Sequence, residues 1–448
     1  MSDTLARLSQ DLLRAAQKAG AEAADAMAVR DASVNIDVRA GALEQAERSE
    51  GIEIGLRVIL GQKQACVSAS DISARTIEEM AERAVLMARE APDDPGVGLA
   101  DPSQLAGSVD PAALELVDDS PEPVPAALQE AALVAEAAAL GVTGVTQCQS
   151  SSASWGRRKV FLAATNGFAA GYARTGSSIS CVAISGEGSV MERDYSAESR
   201  IFASDLPDPV SIGRLAGERA AALQGARKAP TGAWPVLYDE RISSGLIGHL
   251  LTAINGTSVA RGASWALDLM DQRILPEGFD LIEEPLRKRI SGSRPFDAEG
   301  LPTVTRPIVD SGHLSRWVLD LATARKLGLE STANAVRGPS APPSPSVGNV
   351  TLSGPSTSRD KLLAEMGTGL LVTSLIGATI NPNTGDYSRG ASGFWVENGE
   401  ITYPVNEITI AGNLREMLPG LRLADDARDH LSRRVPSLLV EGLMLAGA

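Results

Sequence analysis

The chain has 448 residues, more than a single hydrophobic core normally organises, so two or three domains are expected. Its 41 lysines and arginines are outnumbered by 56 aspartates and glutamates, which gives a formal net charge of −15 at pH 7. That sign opposes contact with nucleic-acid phosphates, so it excludes direct DNA or RNA binding as the main function.

Cysteine usage and hydropathy predict the compartment. The three cysteines, Cys66, Cys148 and Cys181, are widely spaced and odd in number, which indicates neither a disulfide framework nor a thiolate zinc site. The N-terminus carries acidic residues in an amphipathic pattern rather than a basic segment followed by an apolar one, so no signal peptide is expected. No stretch reaches the ~20 apolar residues of a membrane span. We therefore expect a cytoplasmic protein without membrane contact.

Helices and strands alternate in the first part of the chain. Apolar residues at helical spacing from Leu5 to Ala16 predict a helix that ends near Gly20, where a left-handed cap fits. Alternating apolar residues and a capping-box sequence predict three further elements: half-buried strands at Val34–Val38 and Ile52–Leu60, and a helix from Thr76 to Pro92.

An exposed connection and a second group of elements follow. Residues 93–125 are rich in Pro, Asp and Ser with weak periodicity, which predicts a connection with one short helical turn. Composition and alternation then predict a helix over 125–140, strands between Val145 and Phe202, and a helix from about Ser211 to Arg227. The repeated order suggests an internal duplication, although no sequence period establishes it. We predict an N-terminal domain over residues 1–228, with possible sub-units 1–95 and 120–228.

The amino-acid composition changes after residue 228, which predicts a second domain over residues 229–448. Glycines and prolines are scattered through it, and the segment Arg337–Pro345 is predicted to lack regular structure. Short strands such as Val350–Ser353 and Ile408–Ile410 surround that segment. The predicted fold class is α+β, with an N-terminal domain of strands packed with helices and a C-terminal strand-rich, barrel-like domain.

The sequence lacks the motifs of several common chemistries. It contains no Walker A, GxGxxG or GxSxG pattern. Its three histidines, His249, His313 and His430, are far apart, whereas a hydrolytic zinc site usually takes two ligands from one helix. We expect His249 to pack in or near a helix, His313 to lie at a turn or strand end, and His430 to be solvated.

One C-terminal run carries a family resemblance. Residues 381–401, NPNTGDYSRGASGFWVENGEI, resemble the hallmark block of the PmbA/TldD family, and the resemblance continues through Tyr403–Leu414. The earlier run Ser49–Val58 resembles the family's N-terminal block. Within the hallmark block, the Asn-Gly pair of Glu397–Glu400 suits a type I′ hairpin turn. A structural β-hairpin explains these glycines without any chemistry.

Members of this family are of two kinds, and an HExxxH helix motif that binds zinc and activates water distinguishes the TldD kind. The best-matching segment here has Ser244 at the first His position, Gly245 at the Glu position and His249 at the last position. Serine is a poor zinc ligand and glycine offers no general base. A further cysteine ligand lies in the C-terminal domain of the TldD kind, whereas all three cysteines here precede residue 182. The resemblance implies the PmbA/TldE kind, with no cofactor bound by this chain and zinc in its partner.

The resemblance also implies a partner and a substrate class. The PmbA/TldE kind pairs with a TldD-type zinc-binding subunit to enclose a chamber that cleaves small or unfolded peptides. We therefore expect a subunit of a metallopeptidase complex that is inactive alone. Two alternatives stay open: a metal-free adaptor of the gyrase-modulator type, and a self-sufficient metallopeptidase homodimer. The candidate residues of the peptide channel are His249, Tyr387, Arg389, Phe394, Trp395 and Asn398.

Overall fold

The computed structural model describes residues 2–108 and 110–447. Its N-terminal part consists of two groups, each with a helix, three strands and a helix in that order. The first group comprises α1 (Ser2–Lys18), β1 (Ala23–Arg39), β2 (Ala42–Leu60), β3 (Lys63–Ala69) and α2 (Ala74–Glu90). The second group comprises α3 (Pro125–Leu140), β4 (Val145–Ala164), β5 (Ala169–Ser185), β6 (Glu192–Arg200) and α4 (Pro209–Ala222).

The six strands form one antiparallel sheet in the order β3-β2-β1-β4-β5-β6, so the two groups meet where β1 pairs with β4. One face of the sheet is covered by the helices. Ala26 and Ala28 of β1 pack in a core with α1 and α2, and Val34 and Ile36 of the same strand pack in a core with α3 and α4. These four residues share one face because side chains alternate along a strand.

Small residues allow α3 and α4 to approach closely. A Cβ atom placed on Gly213 of α4 would lie 1.8 Å from the carbonyl oxygen of Ala135 on α3. This contact is far shorter than van der Waals separation, so only glycine fits at this point of the helix pair. The alanine-rich composition of residues 125–140 therefore has a packing role.

The predicted N-terminal elements are present, but the bounds of three of them were wrong. The strands predicted at Val34–Val38 and Ile52–Leu60 are parts of the much longer β1 and β2. The last predicted helix ends at Ala222 rather than near Arg227. Gly225 then takes a positive φ of 73°, and Arg227 forms a bridge with Val405 of the C-terminal domain.

The C-terminal part contains short elements around a few long strands. Its helices are α5 (Glu240–Ala253), α6 (Gly256–Ala260), α7 (Leu321–Leu327), α8 (Arg359–Met366) and α9 (Leu414–Met417). Its strands are β7 (Gly232–Tyr238), β8 (Asp280–Glu283), β9 (Arg306–Asp310), β10 (His313–Leu314), β11 (Ala335–Val336), β12 (Ser344–Pro345), β13 (Val350–Ser353), β14 (Ser356–Thr357), β15 (Gly369–Ile380), β16 (Asp386–Glu397), β17 (Glu400–Asn413), β18 (Arg422–Ala424), β19 (Arg433–Arg434) and β20 (Leu438–Ala446).

Five of these strands close into a barrel in the order β7-β15-β16-β17-β20, because β20 also pairs with β7. Tyr238 of β7 is opposite Leu438 of β20 at the point of closure. A second sheet, in the order β10-β9-β8-β13-β19, packs beside the barrel. The predicted α+β class with a barrel-like C-terminal domain is confirmed.

One local prediction in this domain was wrong. The segment Arg337–Pro345 was expected to lack regular structure, but Ser344 and Pro345 form β12, which pairs with β11. A two-residue strand at an edge tolerates proline because few ladder hydrogen bonds are lost there.

The uncovered face of the N-terminal sheet packs against the C-terminal domain. At this interface the carboxylate of Asp25 on β1 accepts hydrogen bonds from Arg57 on β2 and from Arg337 of the C-terminal domain. All three side chains are at most 5% exposed. Among residues 2–108 and 110–447, no helix combines the length and apolar character needed to cross a membrane.

Candidate functional site

Helix α5 carries Ser244, Gly245 and His249, the residues that the family resemblance places at the HExxxH positions. It begins directly after β7, where the side chain of Asp239 accepts a hydrogen bond from the backbone N–H of Arg241. The carboxylate of Asp239 also accepts from the guanidinium groups of Arg241 and Arg359, which holds the cap in place. The apolar residues Leu246, Ile247 and Leu250 anchor the helix in the core. Its polar positions therefore have a fixed orientation.

His249 lies in a polar cluster at the end of the barrel. Its ring meets the ring of Tyr387 edge to face, with 5.8 Å between the ring centroids. The hydroxyl of Tyr238 donates to the hydroxyl of Tyr387 over 3.4 Å, and both tyrosines are almost completely buried. Nε2 of His249 and Nε of Arg389 have no hydrogen-bond partner among the described residues. We call Tyr238, His249, Tyr387 and Arg389 the His249 cluster.

The electrostatics of the His249 cluster favour neutral groups beside one cation. Burial and the positive charge of Arg389 lower the pKa of His249, so its imidazole is neutral at pH 7. Burial raises the pKa of Tyr387, although Tyr238 and Arg389 oppose that shift. The pKa of Tyr238 is raised well above its ordinary value, first by burial and then by Tyr387.

A zinc ion does not fit this cluster. A small cavity of about 100 Å³ beside His249 is lined mainly by Thr252, Ala253, Ser258, Trp265, Ile380 and Pro382, none of which is a usual zinc ligand. The guanidinium of Arg389 would repel a dication. The part of the chain that the structure describes contains no group of three or more His, Cys, Asp or Glu side chains suited to hold a metal ion.

A groove lies between the other side of α5 and the N-terminal sheet. It has a volume of about 470 Å³, and its lining includes Ser178, Ser180, Ser199, Ser244, His430 and Arg433. We call it the α5 groove. Ser244 of α5 therefore faces this groove.

His430 was predicted to be solvated, and that prediction was wrong. Its side chain is only 26% exposed, and Nε2 lies 3.0 Å from a carboxylate oxygen of Glu198 on β6. Glu198 also pairs with Arg200 and Arg428. Burial raises the pKa of Glu198, but the hydrogen bond from Arg200 and the surrounding positive charges outweigh burial and lower it. Glu198, Arg428 and His430 of this ion cluster line the α5 groove.

The structure separates the other predicted channel residues from the His249 cluster. Phe394 packs on the opposite face of β16, against the core that includes α8. Trp395 is buried, and its ring meets that of Trp234 edge to face at 5.2 Å. Asn398 is exposed in the β16–β17 turn, where Asn398 and Gly399 have φ of 54° and 81°, as a type I′ turn requires. Sequence reasoning thus grouped six residues of which three lie together: His249, Tyr387 and Arg389.

Two contributors to the site were not singled out from the sequence. Tyr238 completes the His249 cluster through its contact with Tyr387. It lies directly before Asp239, the cap of the helix that carries His249. His430 borders the α5 groove, but its partner Glu198 is more than 200 residues away in sequence. No local pattern connects such a pair. His313 lies at the start of the short strand β10 and is exposed, away from both sites.

Solved structures with this fold are known. A Bacteroides thetaiotaomicron protein described as a modulator of DNA gyrase superposes with a TM-score of 0.90 at 27% identity, covering 99% of this chain and 98% of that one. TldE from Thermococcus kodakarensis superposes with a TM-score of 0.85, covering 98% and 100% of the two chains. Its identity is 20%, so this second likeness concerns the fold alone.

Sequence comparisons cover almost the whole chain. Models described as PmbA/TldA metallopeptidase domain 1, central domain and C-terminal domain match residues 24–88, 118–224 and 231–447. Metalloprotease PmbA of Escherichia coli O157:H7 is 34% identical over 427 residues, which are 95% of this chain and 92% of the relative. The Haemophilus influenzae homologue of PmbA is 35% identical, over 96% and 94% of the two chains. The chain therefore belongs to the PmbA/TldD metallopeptidase family.

Proposed function

We propose that this chain is the zinc-free, PmbA/TldE-type subunit of a two-subunit cytoplasmic zinc peptidase. A TldD-type partner supplies the zinc ion and the general base. One observation carries the proposal: α5 has Ser244 and Gly245 where the motif requires a ligand and a base, and its remaining histidine lies beside Arg389. Ser244 is a poor zinc ligand, Gly245 offers no general base, and the charge of Arg389 opposes a zinc ion at His249.

The role that remains for this subunit is to shape the space in which peptides are held. The α5 groove is lined by serines of β5 and β6, whose hydroxyl groups both donate and accept hydrogen bonds. Such a wall suits the main chain of an extended peptide. Small or unfolded peptides are therefore the proposed substrates.

The test measures metal content and peptide cleavage of the purified chain, alone and mixed with an HExxxH-bearing TldD-type protein from the same organism. We expect zinc and chelator-sensitive cleavage of an unstructured peptide only in the mixture. Zinc and cleavage in the chain alone would refute the proposal in favour of a self-sufficient homodimer.

A metal-free adaptor is the second candidate, and the description of the Bacteroides thetaiotaomicron structure as a gyrase modulator favours it. The net charge of −15 favours contact with a DNA-handling protein over contact with DNA itself. Absence of cleavage in every mixture, together with a stable complex between this chain and gyrase, would favour the adaptor.

A further inference from the structure

A third site lies at the interface between the two domains. A cavity of about 330 Å³ separates the uncovered face of β1, β4 and β5 from residues 292–298 and 335–348. Four arginines line it: Arg158 and Arg174 from the N-terminal sheet, and Arg294 and Arg337 from the C-terminal domain. This concentration of positive charge is notable in a chain whose net charge is −15. We call it the arginine cavity.

Two of the arginines are held rigidly by hydrogen bonds to the protein. Arg294 is 7% exposed and donates to the carbonyl oxygens of Ala335 and Ser346 over 3.2 and 2.8 Å, while its Nε has no acceptor among the described residues. The side chain of Arg337 is fully buried and donates to Asp25, while its Nη2 likewise has no acceptor within residues 2–108 and 110–447. The guanidinium of Arg294 therefore has carbonyl oxygens as its hydrogen-bond partners, whereas that of Arg337 is paired with the carboxylate of Asp25.

The other two arginines lie closer to solvent. Arg174 donates to the carbonyl oxygens of Ser291 and Ser293, and its guanidinium lies 5.3 Å from the ring centroid of Tyr172. Arg158 is 47% exposed and lies 3.4 Å from Asp31, an exposed ion pair that contributes little to stability. Arg158 is therefore the arginine most free to contact a ligand.

The acidic groups near the cavity compensate its arginines only in part. Asp297, the one acidic residue in the described lining, already accepts hydrogen bonds from the backbone N–H groups of Glu299, Leu301 and Ala335. Asp25 is shared between Arg337 and Arg57. Burial raises the pKa of Glu299 to about 8, so it is largely uncharged at pH 7. The cavity therefore keeps a positive excess.

The floor of the cavity is apolar. Met27, Leu162 and Phe296 are each at most 6% exposed and line it together with Val160. Phe296 packs edge to face against Tyr172, with ring centroids 5.4 Å apart. A volume of about 330 Å³ is at the lower end of the range for small-molecule pockets, ~300–1,000 Å³. The ligand that fits has a small apolar body and a negative end.

We propose that the arginine cavity binds the C-terminal carboxylate of a short peptide whose last side chain is apolar. Guanidinium groups pair with carboxylates through two parallel hydrogen bonds, and the apolar floor receives the side chain. The inference rests on the proposed peptide-handling function and assigns this subunit a recognition site for peptide ends.

Binding is measured on the purified chain alone by isothermal titration calorimetry with the tripeptide Ala-Ala-Leu, its C-terminal amide and inorganic phosphate. We expect the acid to bind and the amide to bind at least about tenfold more weakly, since it lacks the charge that strengthens such hydrogen bonds. Arg158→Gln should weaken binding of the acid by about tenfold. Arg39→Gln is the matched control, because Arg39 forms an equally exposed ion pair with Glu44 outside the cavity, and it should leave binding unchanged.

Hydrogen exchange with Ala-Ala-Leu locates the site independently of any substitution. We expect slower exchange in residues 292–298 and 335–337 when the peptide is added. Equal affinity for acid and amide, tighter binding of phosphate than of the peptide, or protection elsewhere would each overturn the inference. Because the isolated chain is used, these outcomes are distinguishable from a failure of the proposed function, which is read from cleavage by the mixture with the partner.

Discussion

The buried ion cluster of Asp25, Arg57 and Arg337 allows a quantitative test of how the two domains are held together. The substitution Asp25→Asn keeps the shape of the side chain and removes its charge, which leaves two buried guanidinium groups without a counter-ion. Breaking a buried ion pair from one side costs about 3–5 kcal/mol. At ~2.1 cal/mol/K of unfolding entropy per residue, a chain of 448 residues that unfolds cooperatively loses about 4 °C in Tm for a loss of ~4 kcal/mol.

The assay is thermal unfolding at pH 7 followed by circular dichroism, with Glu44→Gln as the matched control. Glu44 forms an exposed ion pair with Arg39, so its substitution should change Tm very little. Equal shifts for Asp25→Asn and Glu44→Gln would refute the reasoning, because the buried cluster would then contribute no more than a solvated pair.

The pH dependence of the same variant has a defined sign. Burial raises the pKa of Asp25, but the charges of Arg337 and Arg57 outweigh burial, so its pKa is lowered from 3.8. A lowered carboxyl pKa contributes stability above the unfolded value and loses it as pH falls through the folded value. The Tm difference between wild type and Asp25→Asn should therefore be largest near pH 7 and shrink below pH 4.

Three further predictions concern the helices. Gly213→Ala should destabilise the protein by about 1–3 kcal/mol in denaturant unfolding, because its Cβ would clash with the backbone of Ala135. Gly245→Ala should instead stabilise it by about 0.4–1 kcal/mol, because no atom lies within 4 Å of the added Cβ. Equal effects of the two substitutions would contradict the close α3–α4 contact. The pKa of His249 is lowered, so wild type should lose stability relative to His249→Gln as pH falls below 6.5; a constant Tm difference from pH 8 to 5 would exclude this. The double variant Ser244→His with Gly245→Glu should remain zinc-free by elemental analysis, and one zinc ion per chain would disprove the fit argument.

Local patterns predicted the four N-terminal helices and the hairpin turn at Asn398–Gly399, but not the full extent of the strands. The helices ending near Gly20 and before Pro92 were predictable because their apolar residues recur within a few positions of each other. The capping box predicted at Thr76 was wrong, because the cap is Ser73, whose side chain accepts from the backbone N–H of Thr76. The N-terminal half of β1 escaped prediction because Ala24, Ala26 and Ala28 have little β propensity. They occupy a strand because small residues let α1 and α2 pack closely on the sheet.

The sites were predicted only where their residues are close in sequence. Tyr387 and Arg389 are two positions apart on β16 and therefore lie on one face of the barrel wall, so both were proposed together from one block. The arginine cavity joins Arg158 with Arg337, which are far apart in the chain, and nothing near either residue distinguishes it from an ordinary surface arginine. Only the packing of the two domains creates that site.

The closure of the barrel has a consequence for how the C-terminal domain folds. The pairing of Tyr238 with Leu438 joins strands that are 200 residues apart in sequence. Contacts of such long range form slowly, because the intervening chain must lose conformational entropy before the contact can stabilise the fold. We therefore expect the meander of β15, β16 and β17, whose strands are neighbours in sequence, to assemble first. Docking of β7 and β20 would then be the slow step, during which both their edges remain open to pairing with other chains.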